Sequence, residues 1–511
     1  MWFCDGICGT LSNILLIIAV ILALHYVYLL SNRNYWINRG VFSPNSGALF
    51  GNLPGQVNGK RHIMYELDEL YKKYKSSHAY IGIFNFRSPR FLVFDPEVAK
   101  DILVKYFKNF QGTELYGKID EKSDPLFGNH MFFQIGDEWK NTRQSISPAF
   151  TNNRIKATHP ILENVYEKMK NYIINENSKK KPDGFDAKDI SERFTIATVS
   201  NSIYNVDPMA FEGGESEILK ISQDLLTPTK KTMILFALWS VYPFLSRFLK
   251  FSFAKPDAAK FFYDLMVNSM KQREASGVKN MDYLEYLIAL KNKREIDDKA
   301  VASHGASFLA DGYATSSSTI AAALYQLARN KVIQSKLRDE IMSNMPNNED
   351  FTYDNIMNLE YLDQVWYETL RILNPATHLG RLCVEPVTLD MPKDKKVSFE
   401  KGDVIYIPVN SIAKDPEYYE NPEVFNPDRF SPENGGIKSF MERGIFFPFG
   451  MGPRTCIGNR FALAQGKFCI AALIKDFKIS LNPKTIEGQE IHPQGIIATI
   501  RDCFLDFERI I

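Results

Sequence analysis

The chain has 511 residues, with Lys+Arg 61 against Asp+Glu 60, a formal net charge of +1 and 45% hydrophobic content. That balance gives no global case for nucleic-acid binding, and the apolar content is enough for a sizeable core. The six cysteines, Cys4, Cys8, Cys383, Cys456, Cys469 and Cys503, are scattered without a disulfide framework, which fits a reducing compartment for the bulk of the chain.

From Leu11 to Leu30 the sequence is almost wholly apolar, with Ser12, Asn13 and His25 the exceptions. A run of roughly 20 such residues is long enough to span a bilayer as a helix. Only Asp5 is charged before the run, whereas Arg33 and Arg39 follow it. A cleaved signal peptide would carry its positive charge first and a small-x-small site after. The arrangement therefore predicts an uncleaved anchor over 1–31, with a lumenal N-terminus and a cytosolic body. A signal peptide is the second reading. Tyr35 and Trp36 suit a membrane interface. Gly40, Pro44, Gly47, Gly51 and Pro54 mark a turn-rich linker over 32–56 that cannot continue the helix and sets the body's angle to the membrane. Residues 57–511 form the remaining domain.

Tyr80 to Phe94 alternates apolar and polar around Ser88-Pro89 and reads as a hairpin of a small sheet. Asp95-Pro96 then opens a helix, Asp95 as cap and Pro96 at the first helical position. Gly112 to Asn129 reads as a loop with an apolar end at Phe127, His130, Met131, Phe132 and Phe133. Most of the remainder has helical period. Thr227 to Phe253 is a second apolar zone, interrupted by Pro243 and edged by Lys230, Lys231, Arg247 and Lys250. It reads either as a core helix pair or as a surface that dips into a membrane with basic residues at the headgroups.

The stretch that carries chemistry is Phe447 to Gly458, Phe-Pro-Phe-Gly-Met-Gly-Pro-Arg-Thr-Cys-Ile-Gly, followed by a helix-like run. Glycines let a backbone turn tightly and approach a flat ligand closely. A cysteine just before a helix start can accept backbone N–H bonds, and the positive end of the dipole favours thiolate. A thiolate is a strong haem-iron ligand. Taken as a lone Gly-x-Arg-x-Cys, the bland reading is a glycine-rich loop with a buried cysteine. Here the whole pattern Phe449-x-x-Gly452-x-Arg454-x-Cys456-x-Gly458 is intact, and it resembles the haem-ligand loop of the cytochrome P450 family.

Other stretches resemble that family too. Trp139 and Arg143 lie four apart on one helix face. Alone, the pair reads as a surface aromatic–arginine stack. With Asp124-Pro125-Leu126 and Ser147-Pro148-Ala149-Phe150 around them, they resemble the insect detoxification branch, which implies contact with a haem propionate. The linker resembles the proline-rich hinge of microsomal members, with fewer prolines. Glu368 and Arg371 in Tyr-Glu-Thr-Leu-Arg, with Arg429 in Pro-Asp-Arg-Phe, resemble the family's buried Glu-Arg-Arg network, a structural rather than catalytic role. Arg381 and Arg454 match further propionate partners, since a haem dianion in a low-dielectric site needs cations. Phe308 to Ser316 resembles the central helix over the haem. Gly312 would permit a local opening of that helix, and Thr315 would act at the dioxygen site. The family usually places Asp or Glu directly before this threonine; here it is Ala314. Asp311, one turn before Thr315, stands as a substitute acid in a proton relay, against the plainer reading that it hydrates a distortion near Gly312.

The resemblance covers nearly the whole chain. It implies a mainly helical prism with a smaller sheet region, holding haem b on the Cys456 thiolate between two central helices. It implies a monooxygenase anchored in the endoplasmic reticulum membrane, acting on a lipophilic substrate. Electrons would come from NADPH through NADPH–cytochrome P450 reductase, with cytochrome b5 a further partner. Lys140, Arg460 and Lys467 would form a basic docking face on the cysteine side. The pocket would draw on 112–129, Phe308, Tyr313 and Gln494 to Thr499. Two rival functions stand beside this: a haem-thiolate isomerase or dehydratase, and a non-catalytic haem or lipophile carrier.

Overall fold

The computed structural model describes residues 2–510 apart from 48, 180–182, 228, 294, 394, 487, 489–490 and 494, with side chains from residue 13 onward. The chain opens with helix α1, Trp2–Leu30, whose Asn13–Leu30 part is long and apolar enough to cross a membrane. Its end is tied to the body. Tyr28 Oη donates to the Val241 carbonyl at 3.0 Å, and Tyr242 Oη lies 2.8 Å from His25 Nδ1.

Strands β1, Tyr80–Asn85, and β2, Ser88–Val93, form the expected hairpin, but its turn is Phe86-Arg87, because Asn85 pairs with Ser88. Phe86 takes a left-handed φ of 51° to close it. A two-residue turn needs such residues, and without glycine the sequence concealed its place. The 32–56 segment is pinned along β1: Gly82 N–H donates to the Phe42 carbonyl at 2.8 Å and Asn52 N–H to that of Phe84 at 2.7 Å. Trp36 is not at an interface. It is fully buried, its ring lying on Gly82, where a β-carbon would come within 2.2 Å of Trp36 Cγ. The missing side chain at Gly82 creates the slot that the indole fills.

Helix α2, Pro96–Lys100, begins as expected, with the Asp95 carboxylate accepting the Val98 N–H. Helices α3, Gly136–Ile146, and α4, Ala187–Tyr204, lead into α5, Lys230–Val241. The apolar zone around α5 is only in part a core. Trp239 and Phe251 are buried, while Ile234, Phe244, Phe248 and Leu249 are exposed.

The centre of the molecule is α6, Asp298–Arg329, 32 residues long and buried over most of its length. Asp297 caps it, and its apolar and small residues on nearly all sides mark it as a core helix. Helix α7, Glu360–Ile372, is followed by strands β3, Leu379–Leu382, and β4, Val404–Ile407. The main sheet runs β1-β2-β4-β3, with β2 and β4 parallel and the other pairs antiparallel. Helix α8, Asn459–Asp476, packs under α6, and the smaller sheets complete a mainly helical fold.

Candidate active site

The Phe447–Gly458 loop is held at both ends and pinched in the middle. Asn374 Nδ2 donates to the Phe447 and Pro448 carbonyls at 3.4 and 3.2 Å. Cys456 N–H donates to the Phe449 carbonyl at 2.9 Å, which folds the loop back on itself. Gly450 and Gly452 both have φ of 75°. At Gly452 a β-carbon would sit 2.2 Å from the Leu103 carbonyl oxygen, so a side chain there would displace the backbone after α2. Gly458 immediately precedes α8, placing Cys456 before the helix start as the sequence requires. Cys456 is itself exposed, yet desolvation by the protein around it pushes its thiol up to about 11, and the Asp311 charge adds to this; the Gly458 N–H and the Arg143 charge act in the opposite direction.

Three guanidiniums gather beside this loop. The Arg454 guanidinium lies 5.0 Å over the Trp139 ring, bonds the Gln134 carbonyl and donates to that of Met131 at 3.4 Å. Trp139 therefore stacks on Arg454. Arg381, on β3, donates to the Gly380 carbonyl at 2.9 Å. Arg143 stands on α3, one turn from Trp139. Among the described residues no carboxylate pairs with any of the three, and the Nε atoms of Arg381 and Arg454 are buried without a partner. Burial lowers the Arg381 pKa to about 10; burial, then repulsion from Arg381 and Arg143, lowers that of Arg454 to about 9. Arg381 is buried and Arg143 and Arg454 are half-buried, and a cationic cluster so withdrawn from water calls for an anion.

Facing the loop is α6. It runs as a continuous helix through Gly312, without the expected opening, and Gln465 Nε2 of α8 donates to the Gly312 carbonyl at 3.0 Å and to Ser316 Oγ at 2.7 Å. Thr315 Oγ1 donates to the Asp311 carbonyl at 2.8 Å, so the two share a face as their spacing requires. The Asp311 carboxylate is exposed on that face and contacts His130 Nε2 at 3.1 Å. Tyr313 points elsewhere: it is buried on the side of α4, where the Glu192 charge reaches it. Two residues along a helix turn a side chain to the opposite face, which removes Tyr313 from the pocket. Phe308 is enclosed by the rings of Phe150, Tyr283 and Phe461. Of the C-terminal pocket segment, Gln494 lies outside the described residues, and Ala498 N–H donates to the Pro375 carbonyl at 3.0 Å.

A cysteine loop facing a long helix across an anion-seeking arginine cluster is one arrangement; the whole sequence supplies another line of evidence. The family model described as cytochrome P450 matches residues 43–505. The chain belongs to the cytochrome P450 family. It is similar to probable cytochrome P450 28a5 of Drosophila melanogaster, 34% identical over 97% of this chain and 99% of the relative. It is similar also to cytochrome P450 6a2 of Drosophila melanogaster, 31% identical over 97% and 99%, and to cytochrome P450 6A1 of Musca domestica, 30% identical over 96% of each. Members of the family are monooxygenases that bind haem b through a cysteine thiolate.

The residues of this cytochrome P450 fit that group. Haem carries two propionates, and the unpaired guanidiniums of Arg143, Arg381 and Arg454 are the cations that would meet them. Beneath, the Glu-Arg-Arg network is assembled. Arg371 donates to Glu368 through Nε at 2.7 Å and Nη2 at 2.8 Å, and Arg429 Nε approaches Glu368 Oε1 at 3.4 Å. Glu368 and Arg371 are fully buried. Both guanidiniums lie near the Tyr419 ring, and Tyr419 Oη donates to the Ile445 carbonyl at 3.1 Å, linking the network to the start of the cysteine loop.

The basic face is smaller than expected. Lys140 and Arg460 are exposed, but Lys467 is fully buried, paired with Asp363 at 2.9 Å and donating to the Met357 carbonyl at 2.9 Å. It lies on the packed side of α8, so its charge serves the core. Sequence reasoning assigned no role to His130, Gln465 or Asn374. A histidine beside two phenylalanines in a loop carried a signal; the other two act through distant backbone carbonyls, which no local pattern reports.

Proposed function

We propose that the chain is a membrane-anchored haem-thiolate monooxygenase, with Cys456 as the proximal ligand and Arg143, Arg381 and Arg454 as propionate partners. The observation that carries the residue assignment is the cluster of guanidiniums beside Cys456, Arg381 buried and Arg143 and Arg454 half-buried, that no carboxylate among the described residues balances. The haem supplies dioxygen activation: substrate, dioxygen, NADPH and a proton give hydroxylated substrate, water and NADP+. Residues 1–31 serve as the anchor in the endoplasmic reticulum membrane, 32–56 as the segment joining it to the body, and 57–511 as the catalytic domain. NADPH–cytochrome P450 reductase delivers electrons on the side of Lys140 and Arg460, with cytochrome b5 as a second donor. Substrate-dependent NADPH consumption with reductase present tests the reading. A rearranging or dehydrating enzyme, which Ala314 would suit, turns over without reductase, and a carrier consumes nothing.

The arginine assignment has a result of opposite signs. Arg381→Met removes a buried charge that no carboxylate among the described residues balances, so haem-depleted protein gains stability and unfolds at higher denaturant. The same change weakens haem retention. Denaturant midpoints with and without haem read both effects; a loss of stability in the haem-depleted protein would contradict the assignment.

Thr315 and Asp311 handle the proton. Ala314 has no group to deliver one, and Asp311 is the acid on the Thr315 face. With a neutral lipophilic substrate, Asp311→Asn lowers product per NADPH several-fold and raises hydrogen peroxide release, with haem content unchanged. Adding Ala314→Glu restores the ratio. An unchanged product-to-NADPH ratio in Asp311→Asn would remove it from the relay.

The anchor makes a separable contribution. Deleting 1–30 lowers membrane affinity and leaves haem binding intact. Ile234, Phe244, Phe248 and Leu249, exposed near Arg247 and Lys250, keep a residual attachment. Flotation of the truncated protein on vesicles measures it; a truncated protein wholly soluble without detergent or salt would contradict the second contact.

A further inference from the structure

Asp311 is a carboxylate with one side held and the other open. His130 Nδ1 accepts the Phe132 N–H at 3.0 Å, so the ring proton sits on Nε2 and is donated to Asp311 Oδ2 at 3.1 Å. An Nδ1 occupied by a backbone amide cannot pass a proton on, which makes His130 a fixed donor that orients the carboxylate. Among the described residues no lysine or arginine pairs with Asp311, and its side chain is 63% exposed. It lies on the Thr315 face of α6, one turn before that residue.

The surroundings are aromatic. The His130 ring lies 5.6 to 6.4 Å from those of Phe127, Phe132 and Phe133, and Phe132 is exposed. Phe133 stacks on Phe253 at 5.8 Å, and Asp124 Oδ2 accepts the N–H groups of Phe253 and Ala254, so the wall is fixed to the segment after α5. A carboxylate on an apolar, aromatic wall gains from a cation more than from any neutral group. Aromatic faces attract ammonium groups in addition.

We propose that the substrates of this site include lipophilic amines, protonated at neutral pH, whose ammonium N–H pairs with Asp311 Oδ1 while the apolar body lies against Phe132 and its neighbours. The assignment rests on the monooxygenase reading and names a substrate class for it. The pair places carbon atoms next to the nitrogen nearest the reacting region. Neutral lipophiles leave the same oxygen free for the proton relay.

The test is binding to the full-length holoprotein in detergent, by equilibrium dialysis and by the haem absorbance shift. The probes are a phenylalkane ending in a dimethylamino group and its carbon isostere ending in an isopropyl group. Wild-type protein binds the amine about 10- to 100-fold more tightly than the isostere. Asp311→Asn keeps an acceptor for His130 and abolishes that preference without moving the affinity for the isostere. Equal weakening of both probes in the variant, or no preference in the wild type, overturns the proposal. Charge-dependent binding of the amine without reductase-dependent product would uphold the recognition site and overturn the monooxygenase reading instead.

Discussion

Cys456→Ser is expected to abolish the thiolate-type spectrum of the reduced carbon monoxide complex completely. A serine hydroxyl does not ionise where a thiol does, and thiolate donation to iron is what gives that spectrum its character. No other cysteine with a described side chain takes over. Cys383, Cys469 and Cys503 are buried away from the loop, and burial pushes the Cys383 and Cys503 thiols up to about 12. The loop itself has no reason to collapse in the variant. Its fold depends on the Cys456 backbone N–H bonded to Phe449, on Gly452 against Leu103 and on Asn374, none of which involves the sulfur. Haem content determined by the pyridine haemochrome method, beside the carbon monoxide spectrum, separates a lost ligand from a lost fold. Retention of the thiolate-type spectrum would remove Cys456 from the iron.

Glu368→Ala is expected to have the largest effect on stability. The change leaves Arg371 and Arg429 buried beside each other with no carboxylate between them. Removing one partner of a buried pair costs about 3–5 kcal/mol, against a total stability of roughly 5–15 kcal/mol for a typical domain. The loss also reaches the site, because Glu368 Oε1 accepts the Asn426 N–H at 2.9 Å and Arg371 donates to the Ala413 carbonyl at 2.9 Å. These bonds hold the segment that leads through Tyr419 to Ile445 and the cysteine loop. Expression should give little haem-loaded protein, with the remainder unfolding at lower denaturant. A variant with normal haem content and an unchanged unfolding midpoint would show that the network is dispensable.

The parts legible in the sequence are those where one local pattern carries one structural duty. The cysteine loop, the Asp95 cap and the shared face of Asp311 and Thr315 all belong to this class. Each depends on residues a few positions apart, and chain geometry fixes their relation. The misplaced readings fail for the complementary reason. Trp36 looked interfacial from its neighbours, but the slot in Gly82 that buries it is 46 residues away. Lys467 looked basic and exposed from its place in α8, but Asp363 on α7 neutralises it in the core. Tyr313, expected in the pocket together with Phe308, is turned toward α4 by its angle around the helix. The pairing of His130 with Asp311 spans two elements of unrelated pattern, and only the folded chain brings them together.

The central claim is that this site inserts an atom of dioxygen. The direct measurement is turnover under isotopically labelled dioxygen with NADPH, its reductase and a lipophilic substrate, followed by mass analysis of the product. One labelled oxygen atom is expected in each product molecule, the other appearing in water, with formation abolished when reductase or NADPH is omitted. Product that forms without label, or forms equally without reductase, would contradict it.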